Sequence, residues 1–181
     1  IRICLDKKEI FMAQLRAILR ASSGGNLKIM LPMISGIEEV KKTYQYLDEA
    51  KSQLRSQHIR FDEKIEVGVM IEIPSAVILA DELAEMVDFF SIGTNDLVQY
   101  ALAVDRDSSL VSDMYEKFHP AVLRLISMTL QSAAKHNIPV SVCGEMASDP
   151  YASLPLIGMG VNELSVVSTA YLQIKRLVRL I

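Results

Sequence analysis

Short apolar runs alternate with helical patterns along the chain, and this alternation limits the possible folds more than any other feature of the sequence. The predicted strands are 1–5, 27–30, 65–71, 87–92, 139–143 and 161–166, and the predicted helices are 6–24, 37–57, 75–86, 120–136, 149–157 and 169–181. Continuously apolar runs are typical of strands that are buried on both faces of a parallel sheet. We therefore predict an α/β fold built on such a sheet.

The length of the chain helps to choose between two parallel architectures. A (β/α)8 TIM barrel averages about 250 residues, or roughly 31 residues per strand–helix unit. The 181 residues would then hold about six units, which matches the six apolar runs. This favours an incomplete barrel, a single domain over 1–181 that holds about the last six units, over a complete doubly wound sheet. Because the chain opens on an apparent strand without a methionine, we expect it to start inside a larger protein.

Composition excludes several classes of protein. Half of the residues are hydrophobic and the formal net charge is −3, so we expect no nucleic-acid partner. No apolar run approaches the roughly 20 residues that a membrane span needs, and no signal peptide opens the chain. The two cysteines, Cys4 and Cys143, lie far apart, as is usual in a reducing compartment. We expect a soluble, cytoplasmic domain without membrane insertion.

Polar side chains follow three consecutive predicted strands at the point where each strand ends. Glu72 follows one strand, Asp96 the next, and Cys143 ends the one after. In a barrel they would face one mouth, at the carboxyl ends of the strands where such folds carry their chemistry. Two carboxylates with few basic neighbours suit Mg²⁺, and Asn95 and Arg106 would then hold an anionic substrate.

The segment between the second and third of these strands carries the densest polar motif. Gly93 is expected to let the chain turn, so that Thr94, Asn95 and Asp96 present a hydroxyl, an amide and a carboxylate in succession. At the third strand, Cys143 would add an acid or a nucleophile, and the following Gly144-Glu145 amides could approach a ligand. Proton delivery to a metal-held enolate is one chemistry that this arrangement serves.

Each of these residues also has a purely structural interpretation. Glu72 could cap the helix after Pro74, Asp96 could close an Asx-turn, and Arg106 could be a solvated loop charge. Cys143, as a small residue that is often buried, could be inert packing. The histidines have weaker prospects as ligands or bases, because they fall in a loop or at helix ends; they are His58, His119 and His136.

The segment from Asp88 to Arg106, with its Ser-Ile-Gly-Thr-Asn-Asp-Leu core and Gln99, resembles the second signature of the phosphoenolpyruvate-utilising enzymes. Within that family the chain is most similar to the enzyme I group of the bacterial phosphoenolpyruvate:sugar phosphotransferase system. The resemblance covers essentially the whole chain. Further matching segments lie at 14–21, 29–34, 69–75, 119–126 and 143–147.

The resemblance implies a role for each candidate residue. Glu72 and Asp96 match the Mg²⁺ ligands, Asn95 with Asp96 matches a stretch that contacts phosphoenolpyruvate, Arg106 matches a phosphate-binding arginine, and Cys143 matches the proton donor to the enolate. In the family, phosphoryl passes from phosphoenolpyruvate to a histidine on a separate N-terminal domain and pyruvate is released. The histidine-containing phosphocarrier protein of sugar uptake then follows as a partner, and the family's C-terminal domains form homodimers.

Some positions depart from the family pattern and leave other functions open. They are Val98, Asp107-Ser108 and Ser148. They leave room for a regulatory phosphorelay paralogue, and the residues alone also allow a Mg²⁺-dependent barrel lyase that forms an enolate, or a non-catalytic binding domain. No histidine here matches the family's phosphoryl acceptor, so the 181-residue chain by itself is expected to be catalytically silent.

Overall fold

The chain forms one parallel sheet of five strands in the order β1-β2-β3-β4-β5 in a computed structural model that describes residues 1–181. Every neighbouring pair is parallel, and each strand lies beside the next one in sequence. A doubly wound sheet reverses its strand order at a switch point, whereas a barrel adds strands consecutively. The order therefore matches an arc of a barrel. The strands are β1 Lys28–Leu31, β2 Glu66–Ile71, β3 Phe89–Gly93, β4 Val140–Cys143 and β5 Glu163–Leu164.

Helices connect the strands, as predicted for β/α units. The helix predicted over 120–136 is confirmed at both ends, where Pro120 occupies the first turn and Asn137 closes the helix in the left-handed region. No helix is both long and apolar enough to cross a membrane. The helices are α1 Arg2–Asp6, α2 Lys8–Ala21, α3 Ile37–Ser56, α4 Pro74–Ile78, α5 Ala80–Ala84, α6 Thr94–Leu102, α7 Pro120–His136, α8 Glu145–Ser148, α9 Pro150–Gly158 and α10 Tyr171–Val178.

The prediction of a strand over 1–5 is wrong, and the sheet has five strands instead of six. Ile1 is the N-cap of the short helix α1, which contains the rest of this run and packs Cys4 and Leu5 against the core. A five-residue apolar run does not distinguish a strand from a short helix by periodicity alone. Asp6 consequently ends α1 and does not cap α2, whose N-cap position is taken by Lys7.

Helices cover only one face of the sheet, so the expectation of strands buried on both faces is wrong for β1 and β4, whereas the central residues of β2 and β3 are buried on both faces. In β1, Ile29 and Leu31 are buried whereas Lys28 and Met30 are exposed. The buried, outer face packs against the helices, with Leu15 of α2 and other apolar side chains in one core. The opposite face, here called the inner face, carries Lys28, Met30, Phe89, Ser91, Ser141 and Glu163, which line a cavity of about 390 Å³.

Smaller differences concern the ends of elements. The helix predicted over 75–86 is divided into α4 and α5, and the strand predicted over 161–166 is reduced to β5. Helix α8, directly after β4, was not predicted. The chain from Ala103 to His119, here called the α6–α7 loop, contains a single 3-10 turn at Ser112–Met114.

Candidate active site

A pair of carboxylates lies where β2 and β3 end. Glu72 directly follows β2 and is only 3% exposed, and its Oε1 accepts a hydrogen bond of 2.7 Å from the backbone N–H of Met33. Met33 holds a left-handed φ of 56°, which costs a non-glycine residue roughly 1–2 kcal/mol. Asp96 lies in the first turn of α6. The two carboxyl groups therefore meet at the carboxyl edge of the sheet.

The charges of this pair are not neutralised by a side chain. Burial raises the pKa of Glu72 and the charge of Asp96 raises it further, while the hydrogen bond from Met33 acts in the opposite direction. Neither carboxylate forms a salt bridge with a lysine, arginine or histidine. A buried carboxylate beside a second, partly buried one is electrostatically unfavourable, and a bound cation would relieve the repulsion.

Gly93 separates Glu72 from Cys143 at this edge. It pairs with Cys143 in the β3–β4 ladder, and a Cβ at Gly93 would lie 2.7 Å from Glu72 Oε2 and 2.9 Å from Glu72 Cβ. The expectation that Gly93 provides a turn is wrong, because its φ is −83° and α6 begins at the next residue. Gly93 is required by the close approach of the Glu72 side chain.

The two polar residues before Asp96 bind the protein itself. Thr94 Oγ1 donates a hydrogen bond of 2.8 Å to the Cys143 carbonyl, and Asn95 Oδ1 accepts one of 2.9 Å from the Glu145 N–H. Gly144 lies between these contacts at a φ of +88°, and a Cβ there would lie 2.5 Å from Thr94 Oγ1. The start of α6 is thus fixed against the end of β4, and the Glu145 amide is occupied.

Cys143 is half-buried at the end of β4, on the inner face. Its Sγ donates to the Ile92 carbonyl at 3.5 Å and accepts from Ser91 Oγ at 3.9 Å. Burial raises the pKa of the thiol, and the charges of Glu72 and Asp96 also raise it, against a lowering by the Ser91 hydrogen bond. A thiol that stays protonated suits a proton donor better than a nucleophile.

Arg106 lies on the α6–α7 loop and reaches the same mouth. Its Nη1 is 3.5 Å from Glu145 Oε1. The loop has two further attachments that the sequence did not reveal: Tyr115 donates from its hydroxyl to the Asn95 carbonyl at 3.4 Å, and Lys117 forms an ion pair with Asp149. The loop has no periodicity, so no sequence pattern pointed to these contacts.

Two of the candidate residues, Asn95 and Cys143, line a cleft of about 450 Å³ together with Glu145, Asp149 and the segment 165–167. Glu72, Asp96 and Arg106 do not line it. Cys143 also lines the cavity on the inner face. None of the three histidines lines either space. His119 instead caps α7, since its Nδ1 accepts a hydrogen bond from the Ala121 N–H at 3.2 Å.

Solved structures of low sequence identity share the fold. A citrate lyase from Burkholderia xenovorans LB400 aligns with a TM-score of 0.63 at 18% identity, covering 86% of this chain and 49% of that one. A pyruvate kinase from Cryptosporidium parvum aligns with a TM-score of 0.58 at 14% identity, covering 85% of this chain and 29% of that one. These neighbours are TIM-barrel-like, and the five-stranded parallel sheet of this chain corresponds to an incomplete α/β barrel.

Sequence comparison then identifies the family. The family model described as "PEP-utilising enzyme, PEP-binding domain" matches residues 1–181, and the chain belongs to this family. Its relatives include the phosphoenolpyruvate-protein phosphotransferase of Priestia megaterium, 47% identical over 179 residues, which are 99% of this chain and 31% of the relative. That of Bacillus subtilis is 49% identical over 172 residues, or 95% of this chain and 30% of the relative. The chain thus spans about a third of the length of these relatives.

Proposed function

We propose that this chain is the phosphoenolpyruvate-binding domain of a phosphoenolpyruvate-protein phosphotransferase. The observation that carries the proposal is the convergence of Glu72, Asp96 and Cys143 at one mouth, in a chain whose relatives bear that name. The whole enzyme would transfer phosphoryl from phosphoenolpyruvate to a histidine and release pyruvate, as the first step of sugar uptake. The accepting histidine would belong to a separate N-terminal domain, because the three histidines here lie away from the cleft.

The carboxylate pair supports Mg²⁺ as the cofactor. Glu72 and Asp96 would hold it, since Mg²⁺ commonly takes one or two protein carboxylates and leaves its other positions to substrate oxygens and water. No group of three or more His, Cys, Asp or Glu side chains is placed to hold a metal ion. When bound, the ion supplies positive charge against the negative charge that develops on substrate oxygens.

Asn95 and Arg106 would position the substrate. The Oδ1 atom of Asn95 is occupied by the Glu145 N–H, so Asn95 would offer its Nδ2 donors to phosphoenolpyruvate. Arg106 would bind the phosphate, because its planar guanidinium matches two phosphate oxygens at once. Its exposed position on the α6–α7 loop leaves the guanidinium accessible to a ligand in the cleft.

Cys143 would act as the general acid. Transfer of phosphoryl to the histidine breaks the P–O bond of phosphoenolpyruvate and leaves the enolate of pyruvate. The S–H proton of Cys143 would then pass to the methylene carbon of the enolate, giving pyruvate and a thiolate that solvent reprotonates. The raised pKa of the thiol favours this role, since the proton is present at neutral pH.

The whole protein would have further partners. We propose that the phosphoryl group moves on to the histidine-containing phosphocarrier protein, that the enzyme is a homodimer, and that it works in the cytoplasm. These proposals rest on the relatives' name and on the family resemblance. The chain 1–181 would be silent alone, because it lacks the accepting histidine.

The function is tested by incubating the full-length protein with phosphoenolpyruvate, with Mg²⁺ or with a chelator, and measuring phosphohistidine and pyruvate. We expect both products only with Mg²⁺. Carbon–carbon bond cleavage without phosphohistidine would instead identify a lyase. Transfer to a carrier other than that of sugar uptake would identify a regulatory phosphorelay.

Replacing Cys143 with alanine is expected to separate the two halves of the reaction. In D₂O with Mg²⁺, exchange of the pyruvate methyl hydrogens should fall at least tenfold, because general acids contribute about 10²- to 10⁴-fold. Phosphorylation of the histidine should fall less, since the thiol takes no part in breaking the P–O bond. Nuclear magnetic resonance of pyruvate measures the hydrogen exchange, and mass spectrometry of the protein measures the phosphorylation. Cys4→Ala is the control, as Cys4 lies on α1, and equal losses in both halves would contradict the assignment.

A further inference from the structure

The ion pair between Arg106 and Glu145 places the phosphate-binding group of the proposed site in contact with a carboxylate. The distance from Arg106 Nη1 to Glu145 Oε1 is 3.5 Å, and the two side chains are 42% and 62% exposed. The backbone of Glu145 is fixed independently, by the hydrogen bond from its N–H to Asn95 Oδ1. The carboxylate is therefore held at the rim of the cleft, within reach of the guanidinium.

The charges around the cleft make this carboxylate unexpected in a site for a polyanion. Glu72, Asp96 and Glu145 are negative, and the nearby Lys117 is already paired with Asp149. Arg106 is the cation proposed to bind the phosphate, yet its guanidinium lies beside Glu145. A phosphate that binds Arg106 must therefore take the place of Glu145 and also bear its repulsion.

We propose that Glu145 competes with the substrate phosphate for Arg106 and thereby limits the affinity of the site for phosphate-bearing ligands. The inference rests on the proposed function, in which Arg106 binds phosphate. A phosphate dianion displaces the carboxylate because it carries more charge and presents more acceptor oxygens to the guanidinium. Pyruvate has no phosphate, so Arg106 returns to Glu145 once the phosphoryl group has left. Glu145 thus weakens the binding of phosphate-bearing ligands at this end of the cleft and leaves the binding of pyruvate unaffected.

A purely structural role for the Glu145 carboxylate is less well supported. The α6–α7 loop is also anchored by the hydroxyl of Tyr115 on the Asn95 carbonyl and by Lys117 on Asp149. The tie between Glu145 and Asn95 uses the backbone N–H, which a Gln at position 145 retains. Removing the charge should therefore leave the loop and the start of α6 in place.

The proposal is tested by the affinity of the full-length protein for inorganic phosphate, measured by calorimetry. In Glu145→Gln the dissociation constant should fall about two- to fivefold, the range expected for losing an exposed ion pair. The KM for phosphoenolpyruvate should fall by a similar factor at unchanged kcat, and the affinity for pyruvate should not change. Glu116→Gln, a change at an exposed carboxylate of the same loop without a salt-bridge partner, should alter none of these constants.

A second background shows whether the effect passes through Arg106. In Arg106→Ala, the additional change Glu145→Gln should improve phosphate binding by a clearly smaller factor, because only the repulsion is relieved. An improvement of the same size in this background would overturn the proposal, because it would show simple repulsion. Unchanged, weakened or undetectable phosphate binding in Glu145→Gln would also overturn it. A failure of the proposed function would be seen separately. The parent protein would then form no phosphohistidine from phosphoenolpyruvate, whatever the phosphate affinities of the variants are.

Discussion

Replacing Glu72 with glutamine is expected to stabilise the folded chain while abolishing phosphoryl transfer. Without a metal, Glu72 is a 3% exposed carboxylate beside Asp96 that forms no salt bridge with a lysine, arginine or histidine side chain. Glutamine keeps an oxygen that can accept the Met33 N–H and adds an amide that can donate to Asp96. We expect the free energy of unfolding in Mg²⁺-free buffer at neutral pH to rise by roughly 1–3 kcal/mol, because glutamine removes a buried charge that the hydrogen bond from Met33 compensates only in part.

The pH dependence of this gain follows from the raised pKa of Glu72. Below the ordinary value of 4.5 the carboxyl is protonated in both the folded and the unfolded chain, so parent and variant should be similarly stable. As the pH rises through the folded pKa, the parent must ionise a buried group and loses stability that the variant keeps. Urea unfolding of the 181-residue chain at several pH values measures the difference.

A matched control is available on the same strand. Glu66→Gln removes an exposed carboxylate of β2 that pairs with Lys28, and it should change stability by less than about 1 kcal/mol. In the full-length protein, phosphoryl transfer should be lost in Glu72→Gln and retained in Glu66→Gln. Equal stability of the parent and Glu72→Gln at neutral pH would show that the Glu72 charge is already compensated.

Gly93→Ala is expected to damage both the fold and the site. The new Cβ would lie 2.7 Å from Glu72 Oε2 and 2.9 Å from Glu72 Cβ, well inside van der Waals contact. Because Gly93 also pairs with Cys143 in the sheet, the strand cannot move away without disturbing the thiol. Overpacking of this kind costs about 1–3 kcal/mol, and displacement of Glu72 should lower Mg²⁺-dependent transfer at least tenfold.

Thermal unfolding and the phosphohistidine assay measure the two effects of Gly93→Ala. Gly158→Ala provides the comparison, because a Cβ at the end of α9 would meet no atom within 4 Å. That variant should match the parent in both assays. Full stability and activity in Gly93→Ala would contradict this prediction. They would mean that the Glu72 side chain can adopt another conformation in which it still binds Mg²⁺.

The part of the site that the sequence predicts is the part carried by strand ends. Glu72 and Cys143 were placed at the ends of β2 and β4 because each apolar run stops at a Pro or Gly within two residues, and the structure confirms both placements. The helix over 120–136 was found for a similar reason, since Pro120 and Asn137 mark its ends. Residues that end a strand or helix act on their immediate neighbours in the chain, so their effect can be predicted from the sequence without knowledge of the fold.

The errors concern features that depend on distant parts of the chain. Met30, Met70 and Phe89 make the strands look continuously apolar, although they lie on the inner face, which the helices do not cover. The run 1–5 looked like a strand, but it has no neighbouring strand and packs as α1 instead. In both cases the sequence gives the polarity of a residue but not the surface that it meets.

The individual hydrogen bonds and close contacts of the site could not be predicted from the sequence either. Asn95 and Glu145 are 50 positions apart, and no spacing rule joins the amide of one to the backbone of the other. Tyr115 had no recognisable signal, although it binds the Asn95 carbonyl. Gly93 was expected to provide a turn, whereas its function is to leave room for Glu72.

The central proposal is that Glu72 and Asp96 form one magnesium site, and metal binding tests it most directly. Mn²⁺ can replace Mg²⁺ and be followed by electron paramagnetic resonance, in the full-length protein with phosphoenolpyruvate present. The protein should bind Mn²⁺, with displacement by Mg²⁺, and Asp96→Asn should weaken binding at least tenfold. Asp113→Asn, a change at an exposed carboxylate of the α6–α7 loop, should leave binding unchanged. Undiminished Mn²⁺ affinity in Asp96→Asn would contradict the proposal.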